Sequence, residues 1–252
     1  MCLITLAFSP GDRAHLVLVA NRDEFHARPA RPMAWHAWPN GWLGGRDEQA
    51  GGTWLAAARD GRWAALTNVR QGQAEPGRRS RGELPLRFIE DGCSPESFAR
   101  DVGHARDDFA PFNLLVGDRA SLWHVSSRVD PVAVTPGVHA LSNGCLDEAW
   151  PKSRRAATAL RGLIGNGRRA DPERLLGLMD DRRPAPDHEL PDTGVGLEME
   201  RFLSPPFIVS ESYGTRCTSL LVLGVESLAI ERSFDVRGRI AGQLEYRFVV
   251  SC

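Results

Sequence analysis

The sequence predicts an α+β chain of stacked layers with largely antiparallel sheets, on three observations. Strand-like segments arrive as neighbours joined by turn residues, which is how hairpins are written. Two strand blocks are each followed by a pair of helical segments, an order that builds sheets covered by helices. No internal repeat, low-complexity tract or linker interrupts the 252 residues, so residues 1–252 read as one domain.

Cys2–Phe8 and His15–Ala20 are apolar runs around Ser9-Pro10-Gly11-Asp12, a first hairpin. Thr53–Ala58 and Arg62–Thr67 flank Asp60-Gly61, a second. Between them, Arg28 to Gly45 is rich in Arg, Pro and Trp and reads as a long loop, a kind often functional. Helical spacing then runs over Glu83–Asp91 and Pro95–Asp107, with Ser94 placed as N-cap before Pro95 and Glu96. Strands return at Phe112–Gly117, Ser121–Ser126, Val132–Thr135 and Val138–Leu141. Two helices follow over Trp150–Ile164 and Asp171–Met179. Asp181–Pro206, rich in Pro, Asp and Gly, reads as an extended loop. Thr218–Gly224, Ser227–Phe234 and Gln243–Val249 close the chain as three consecutive strands.

Composition narrows the function classes. The chain is 42% hydrophobic and 25% charged, as in ordinary globular proteins. With 31 Lys and Arg against 32 Asp and Glu, no overall field recruits nucleic acid or an anionic membrane. Lys152 is the single lysine, which reads first as a trace of GC-rich coding. Five scattered cysteines without a CxxC pair suit a reducing cytoplasm better than a disulfide framework or a zinc site. The N-terminus lacks a signal peptide, and no stretch approaches the ~20 apolar residues of a membrane span. The seven histidines show no metal-ligand spacing, and no Walker loop, GxSxG elbow or dinucleotide fingerprint is present. His124, beside Trp123 in a strand, reads as a core or surface histidine before a pocket one. No metal is expected, and the oligomeric state is open.

Chemistry concentrates at Cys2. Aminopeptidases remove an initiator Met before a small residue, so the mature chain should begin with a thiol and a free α-amine on one residue. An α-amine titrates near pH 7.7–8.0 and can serve as general base for its own nucleophile. The bland alternative is an incidental cysteine in a first strand. Asn21-Arg22-Asp23-Glu24, after the second strand, would alone be a solvated turn. Trp35, Trp38, Trp42 and Trp54 cluster around the Pro-rich loop and could wall a site for an acyl or planar ligand, or simply be core.

Taken in order, Met1-Cys2, Asn21-Arg22-Asp23-Glu24, Gly51-Gly52-Thr53-Trp54, Leu66-Thr67-Asn68 and Arg81-Gly82-Glu83 resemble the NRDE, or transport-and-Golgi-organisation, family. Phe112-Asn113-Leu114, Leu141-Ser142-Asn143 and Tyr213-Gly214-Thr215-Arg216 extend the likeness over most of the chain. That family is similar to the choloylglycine hydrolase and penicillin V acylase group of N-terminal-nucleophile (Ntn) hydrolases. The resemblance implies a four-layer αββα sandwich and an amidohydrolase acting on a non-peptide C–N bond of a small acylated substrate.

The same resemblance assigns catalytic positions to Cys2, Asn68, Asn143 and Arg216, with an acid from Asp23 or Glu24. By position Glu24 matches the aspartate and Asn21 the arginine of the related Arg-Asn-x-Asp run, unless the chain shifts to use Arg22 and Asp23. Asn21, Arg22, Trp35 and Trp54 are the substrate-binding candidates. Arg216 would lower the Cys2 thiol pKa or bind a substrate carboxylate. Asn68 and Asn143 would alternatively be turn residues, and Arg216 half of an ion pair with Glu211 or Glu200. No cofactor is expected for the hydrolase. The alternative is a non-catalytic carrier on the same fold, since family members have been tied to haem trafficking and to acyl-CoA or lipid handling. Haem would then be its cofactor and Cys2 a possible thiolate ligand.

Overall fold

The computed structural model describes residues 2–37, 41–72, 77–164 and 171–250. Strands β1 (Cys2–Phe8) and β2 (Ala14–Phe25) form the expected first hairpin. The chain then lays down β3 (Ala30–His36), β4 (Trp42–Asp47), β5 (Leu55–Ala58) and β6 (Trp63–Asn68). Helices α1 (Leu84–Asp91) and α2 (Pro95–His104) come next, and β7 (Phe112–Gly117), β8 (Leu122–Ser126) and β9 (Val132–Ala133) follow. β3 to β9 make a seven-stranded sheet in sequential order, antiparallel throughout. β10 (Gly137–Leu141) returns to pair with β1. Helices α3 (Pro151–Ile164), α4 (Pro172–Gly177) and α5 (Leu197–Phe202) precede β11 (Tyr213–Gly224), β12 (Glu226–Phe234) and β13 (Ile240–Val249). These complete a six-stranded antiparallel sheet ordered β10-β1-β2-β11-β12-β13.

Burial shows why the strands read as continuous apolar runs. Ile4, Leu6 and Phe8 of β1 pack with Leu43, Leu55 and Trp63 between the sheets. The alternate residue Leu3 packs with Val19, Ala156, Leu160 and Leu175 under α3 and α4. On the other side, Ala64 and Leu114 meet Phe88 and Phe98 of α1 and α2. Strands covered on both faces lose the polar alternation of a half-exposed sheet. The result is the four-layer αββα sandwich with antiparallel sheets. Ser94 caps α2 as expected, its hydroxyl accepting from the Ser97 N–H at 3.2 Å.

Three segments differ from their sequence reading. The stretch from Arg28 to Gly45 is not one loop, because it carries β3 and β4 of the second sheet. Pro32 disguised β3. The β3–β4 register breaks between Arg31 and Ala34, and a proline that cannot donate to the ladder is tolerated there because β3 is an edge strand. Second, Asn21–Glu24 is no turn: β2 continues to Phe25, held by β11. Third, α5 forms within the expected Asp181–Pro206 loop. Trp38 and Cys252 lie outside the described residues, as does Met1.

Candidate active site

Strand register brings the first motif together. Cys2 pairs directly with Arg22 across β1 and β2, so the two side chains leave the same face of the sheet. That is the inter-sheet face of Ile4, Leu6 and Phe8, and at its open end lies a cleft of about 1050 Å³. Cys2, Arg22, Asp23, Glu24, Trp54 and Asn68 all line it.

Asn68 ends β6 and is fixed from behind. Asn143, fully buried, donates from Nδ2 to the Asn68 carbonyl at 2.9 Å and to Asn68 Oδ1 at 3.3 Å. The Thr67 hydroxyl donates to the Ser142 carbonyl at 2.6 Å, and Asn113 Nδ2 to the Gly144 carbonyl at 2.8 Å. Three of the sequence motifs therefore stitch the end of β10 in the first sheet to β6 and β7 in the second. With Asn68 Oδ1 engaged, its Nδ2 is the group left to point into the cleft. Asn143 is not among the described residues that line the cleft; it positions Asn68.

Burial and bonding distinguish the two acids. Asp23 is 1% exposed, accepts from the Thr215 hydroxyl at 2.7 Å, and is the carboxylate that most raises the Cys2 thiol. Burial pushes the Asp23 carboxyl up, and Lys152 opposes this. Glu24 instead accepts from its neighbour's Phe25 N–H at 2.9 Å and faces Arg28 at 3.9 Å. Burial also raises the Cys2 thiol, with Arg22 pulling it down.

Four sequence-derived candidates lie elsewhere. Arg216 sits at the register shift of β11 between Thr215 and Cys217, and its Nη1 donates to the carbonyls of Phe25 and Arg28 at 2.9 and 3.1 Å. It ties down a turn, with neither Glu211 nor Glu200 as partner. Arg22 is the arginine beside the thiol. Asn21 is fully buried and faces away from the cleft: its Nδ2 donates to the carbonyls of Met179 and Pro206, and Thr218 donates to its Oδ1. Trp35 packs edge-on against Phe248 at 5.3 Å and beneath Arg59, and Trp42 is wholly buried. β3 and β4 turn these indoles into core. Of the described tryptophans in that cluster, Trp54 alone lines the cleft, with Arg22 4.3 Å over its ring.

Asp47 and Arg70 were not singled out from sequence. Arg28 and Arg22 converge on Asp47 at 2.6 and 3.4 Å. Burial works against the Asp47 carboxylate, yet the Arg28 bond holds its pKa below the usual range. Arg70, 5% exposed, bonds Glu200 of α5 at 2.5 Å and lies 4.9 Å over Trp150. Thr193 also donates to Glu200. This buried pair pins α5, which supplies one cleft wall. Glu200→Ala would strand the Arg70 charge and is expected to cost about 3 kcal/mol, measured by denaturant unfolding; a loss under about 1 kcal/mol would show the pair does not hold the wall. Lys152 is 2% exposed, and burial drives its pKa to about 7. Its position four residues before Ala156 and eight before Leu160, on the apolar face of α3, was the signal available. His124 is buried against Asn113 Oδ1 at 3.3 Å, with a pKa lowered by burial to about 4. It is core, as read. Among the described residues no group of three or more His, Cys, Asp or Glu is placed to hold a metal ion, and no helix is long and apolar enough to cross a membrane.

The model of the family described as Transport and Golgi organisation 2 matches residues 1–234. The chain belongs to that family. A Transport and Golgi organization protein 2 homolog of Bos taurus is 28% identical over 249 residues, with 90% of each chain covered. The Homo sapiens homolog is 27% identical over 247 residues with the same coverage. Among solved structures, the mutant C2A conjugated bile acid hydrolase from Clostridium perfringens superposes with a TM-score of 0.50 at 12% identity, covering 98% of this chain and 97% of that one. At that identity the likeness shows the fold, which is that of the Ntn hydrolases. The family's NRDE tetrapeptide is thus a strand segment: Arg22 faces the cleft beside Cys2, and Asp23 lies buried at its edge.

Proposed function

We propose that the protein is an N-terminal-cysteine amidohydrolase cleaving a non-peptide C–N bond of a small acylated substrate. The observation that carries this reading is the convergence of Cys2, Asp23 and Asn68 on one cleft, with Asn143 fixing Asn68 from behind. Removal of Met1 frees the Cys2 α-amine. Burial keeps the thiol protonated at neutral pH, so attack requires a base at hand, and the amine of the same residue supplies it.

The sulfur bonds to the substrate carbonyl carbon as its proton passes to the amine. The resulting oxyanion meets Asn68 Nδ2, a type of donor whose loss typically costs ~2.7–4 kcal/mol of barrier. The C–N bond then breaks as the leaving nitrogen takes the proton back from the Cys2 ammonium, which Asp23 steadies. A thioester remains. Water, deprotonated by the same amine, adds to it, and the carboxylic acid and free thiol are released.

A second reading, a carrier that binds the same ligands without turning them over, draws on the raised thiol. An activated acyl ester separates the two. The hydrolase reading expects a single acyl adduct on Cys2, decaying on the timescale of turnover, with Cys93, Cys145 and Cys217 unmodified. Intact mass followed by peptide mapping decides it. Absence of any Cys2 adduct would leave the carrier reading in place.

A further inference from the structure

The cleft is rich in guanidinium groups, but nearly all are engaged. Arg22 and Arg28 face Asp47, Arg70 faces Glu200, Arg79 faces Glu83, and Arg78 lies 3.9 Å from Asp108. Arg81 differs. Its Nη1 donates to the Pro111 carbonyl at 3.1 Å, and among the described residues no carboxylate comes within 4 Å of it. It is half-buried, and burial lowers its pKa. Of the charged groups around it, a Cys2 thiolate would support its guanidinium most. A partly desolvated cation without a counter-ion, lining the same cleft as the nucleophile, is an unfilled anion site.

Arg81 is also held rigidly, by two motifs the mechanism does not use. Gly52 packs so closely on Gly82 that a Cβ there would fall 2.3 Å from the Gly82 carbonyl carbon. The Thr53 N–H donates to the Gly82 carbonyl at 2.8 Å. Gly51-Gly52-Thr53-Trp54 and Arg81-Gly82-Glu83 are thus two halves of one clamp that fixes the backbone under Arg81. Any side chain at position 52 would displace the backbone that carries Arg81. A different wall of the cleft is apolar, made by Val195, Met199, Phe202 and Leu203 in and around α5.

We propose that Arg81 is the substrate-anchoring residue of this cleft, binding a carboxylate that the substrate carries close to its scissile amide, while the apolar wall takes an aliphatic remainder. The inference rests on the hydrolase reading for the word substrate, but the binding it describes stands apart from turnover. Its test therefore uses protection of Cys2 from a thiol-directed electrophile. The probes are N-decanoylglycine, the neutral N-decanoylglycinamide, and the monoamide of decanedioic acid, whose carboxylate is remote from the amide.

In the mature protein, N-decanoylglycine is expected to protect Cys2 at concentrations at least about tenfold lower than either other probe, the scale of one charge-assisted hydrogen-bonded contact. Arg81→Gln should raise that concentration about tenfold and leave the neutral probe unchanged. Arg81→Lys, which keeps the charge but not the fork, should fall between. Equal protection by the three probes would overturn the proposal, as would no protection by any at millimolar concentration, or equal weakening of charged and neutral probes by Arg81→Gln. The comparison within the unaltered protein holds even if a variant misfolds. Carboxylate-dependent protection without hydrolysis would sink the hydrolase reading and spare the anion site. Hydrolysis indifferent to the carboxylate would do the reverse.

Discussion

A non-removable extension at the N-terminus is expected to lower amide turnover by at least about 10²-fold, the span usual for loss of a general base being 10²–10⁴. The reason is positional. In the mature chain the Cys2 nitrogen is an amine with a pKa near 7.7–8.0; in an extended chain it is an amide with no basic lone pair. The thiol, held up by burial, then has no adjacent base. Burial cannot substitute for that base, because it works against the thiolate. The fold should not change, since β1 is paired with β2 from Cys2 and with β10 from Ile4. Turnover is measured on two preparations, one of intact mass showing Cys2 first and one carrying a blocked extension, with matched thermal melts. Equal activity in both would remove the self-activated nucleophile. Asp23→Asn in the mature chain should reproduce part of the loss if, as proposed, Asp23 steadies the ammonium form.

The parts of this site that were legible in the sequence were those set by strand periodicity and hairpin chemistry. Asp60-Gly61 placed the β5–β6 hairpin and hence Asn68 at a strand end, and Cys2 followed from its position in β1. Arg216 was misplaced for a local reason. A register shift in β11 turns it from the strand's alternation onto the turn after β2, and a bulge leaves no mark in side-chain types alone. Trp35 and Trp42 were misplaced because Pro32 and Gly41 look like loop residues when the edge position of β3 is unknown. The partnerships Arg70–Glu200 and Asn68–Asn143 span 130 and 75 residues. Only the assembled sheets reveal them. The glycine clamp at Gly52 and Gly82 was visible as two motifs but not as one contact, since a backbone approach has no spacing rule.

Lys152 gives the second large effect, on stability rather than turnover. It is the chain's single lysine, on the buried face of α3, and no hydrogen-bond partner for its Nζ is present among the described residues. The groups acting on it are Arg70, which disfavours its ammonium form, and Asp23, Cys2 and Glu200, which favour it. Burial outweighs them all and brings the pKa to about 7 from the usual 10.5. The sign follows from linkage. Between about pH 7 and 10.5 the unfolded chain binds a proton here that the folded chain does not, so stability rises with pH across that window. At ~1.4 kcal/mol per pKa unit the rise totals about 5 kcal/mol. Lys152→Met keeps the length of the side chain and removes the titration. Its unfolding free energy should lack this rise, leaving a parent-minus-variant difference that climbs by several kcal/mol between pH 7 and 10. Below about pH 6 both forms of the parent are charged at this site, and the difference should become flat. Denaturant unfolding at unit pH intervals measures it, with the comparison cancelling the titration of other groups. A constant difference across the whole range would mean that Lys152 remains an ammonium in the fold, and that the charges of Asp23, Cys2 and Glu200 together overcome its burial. The cleft would then be backed by a permanent cation, which favours the ionised form of Asp23 against its burial.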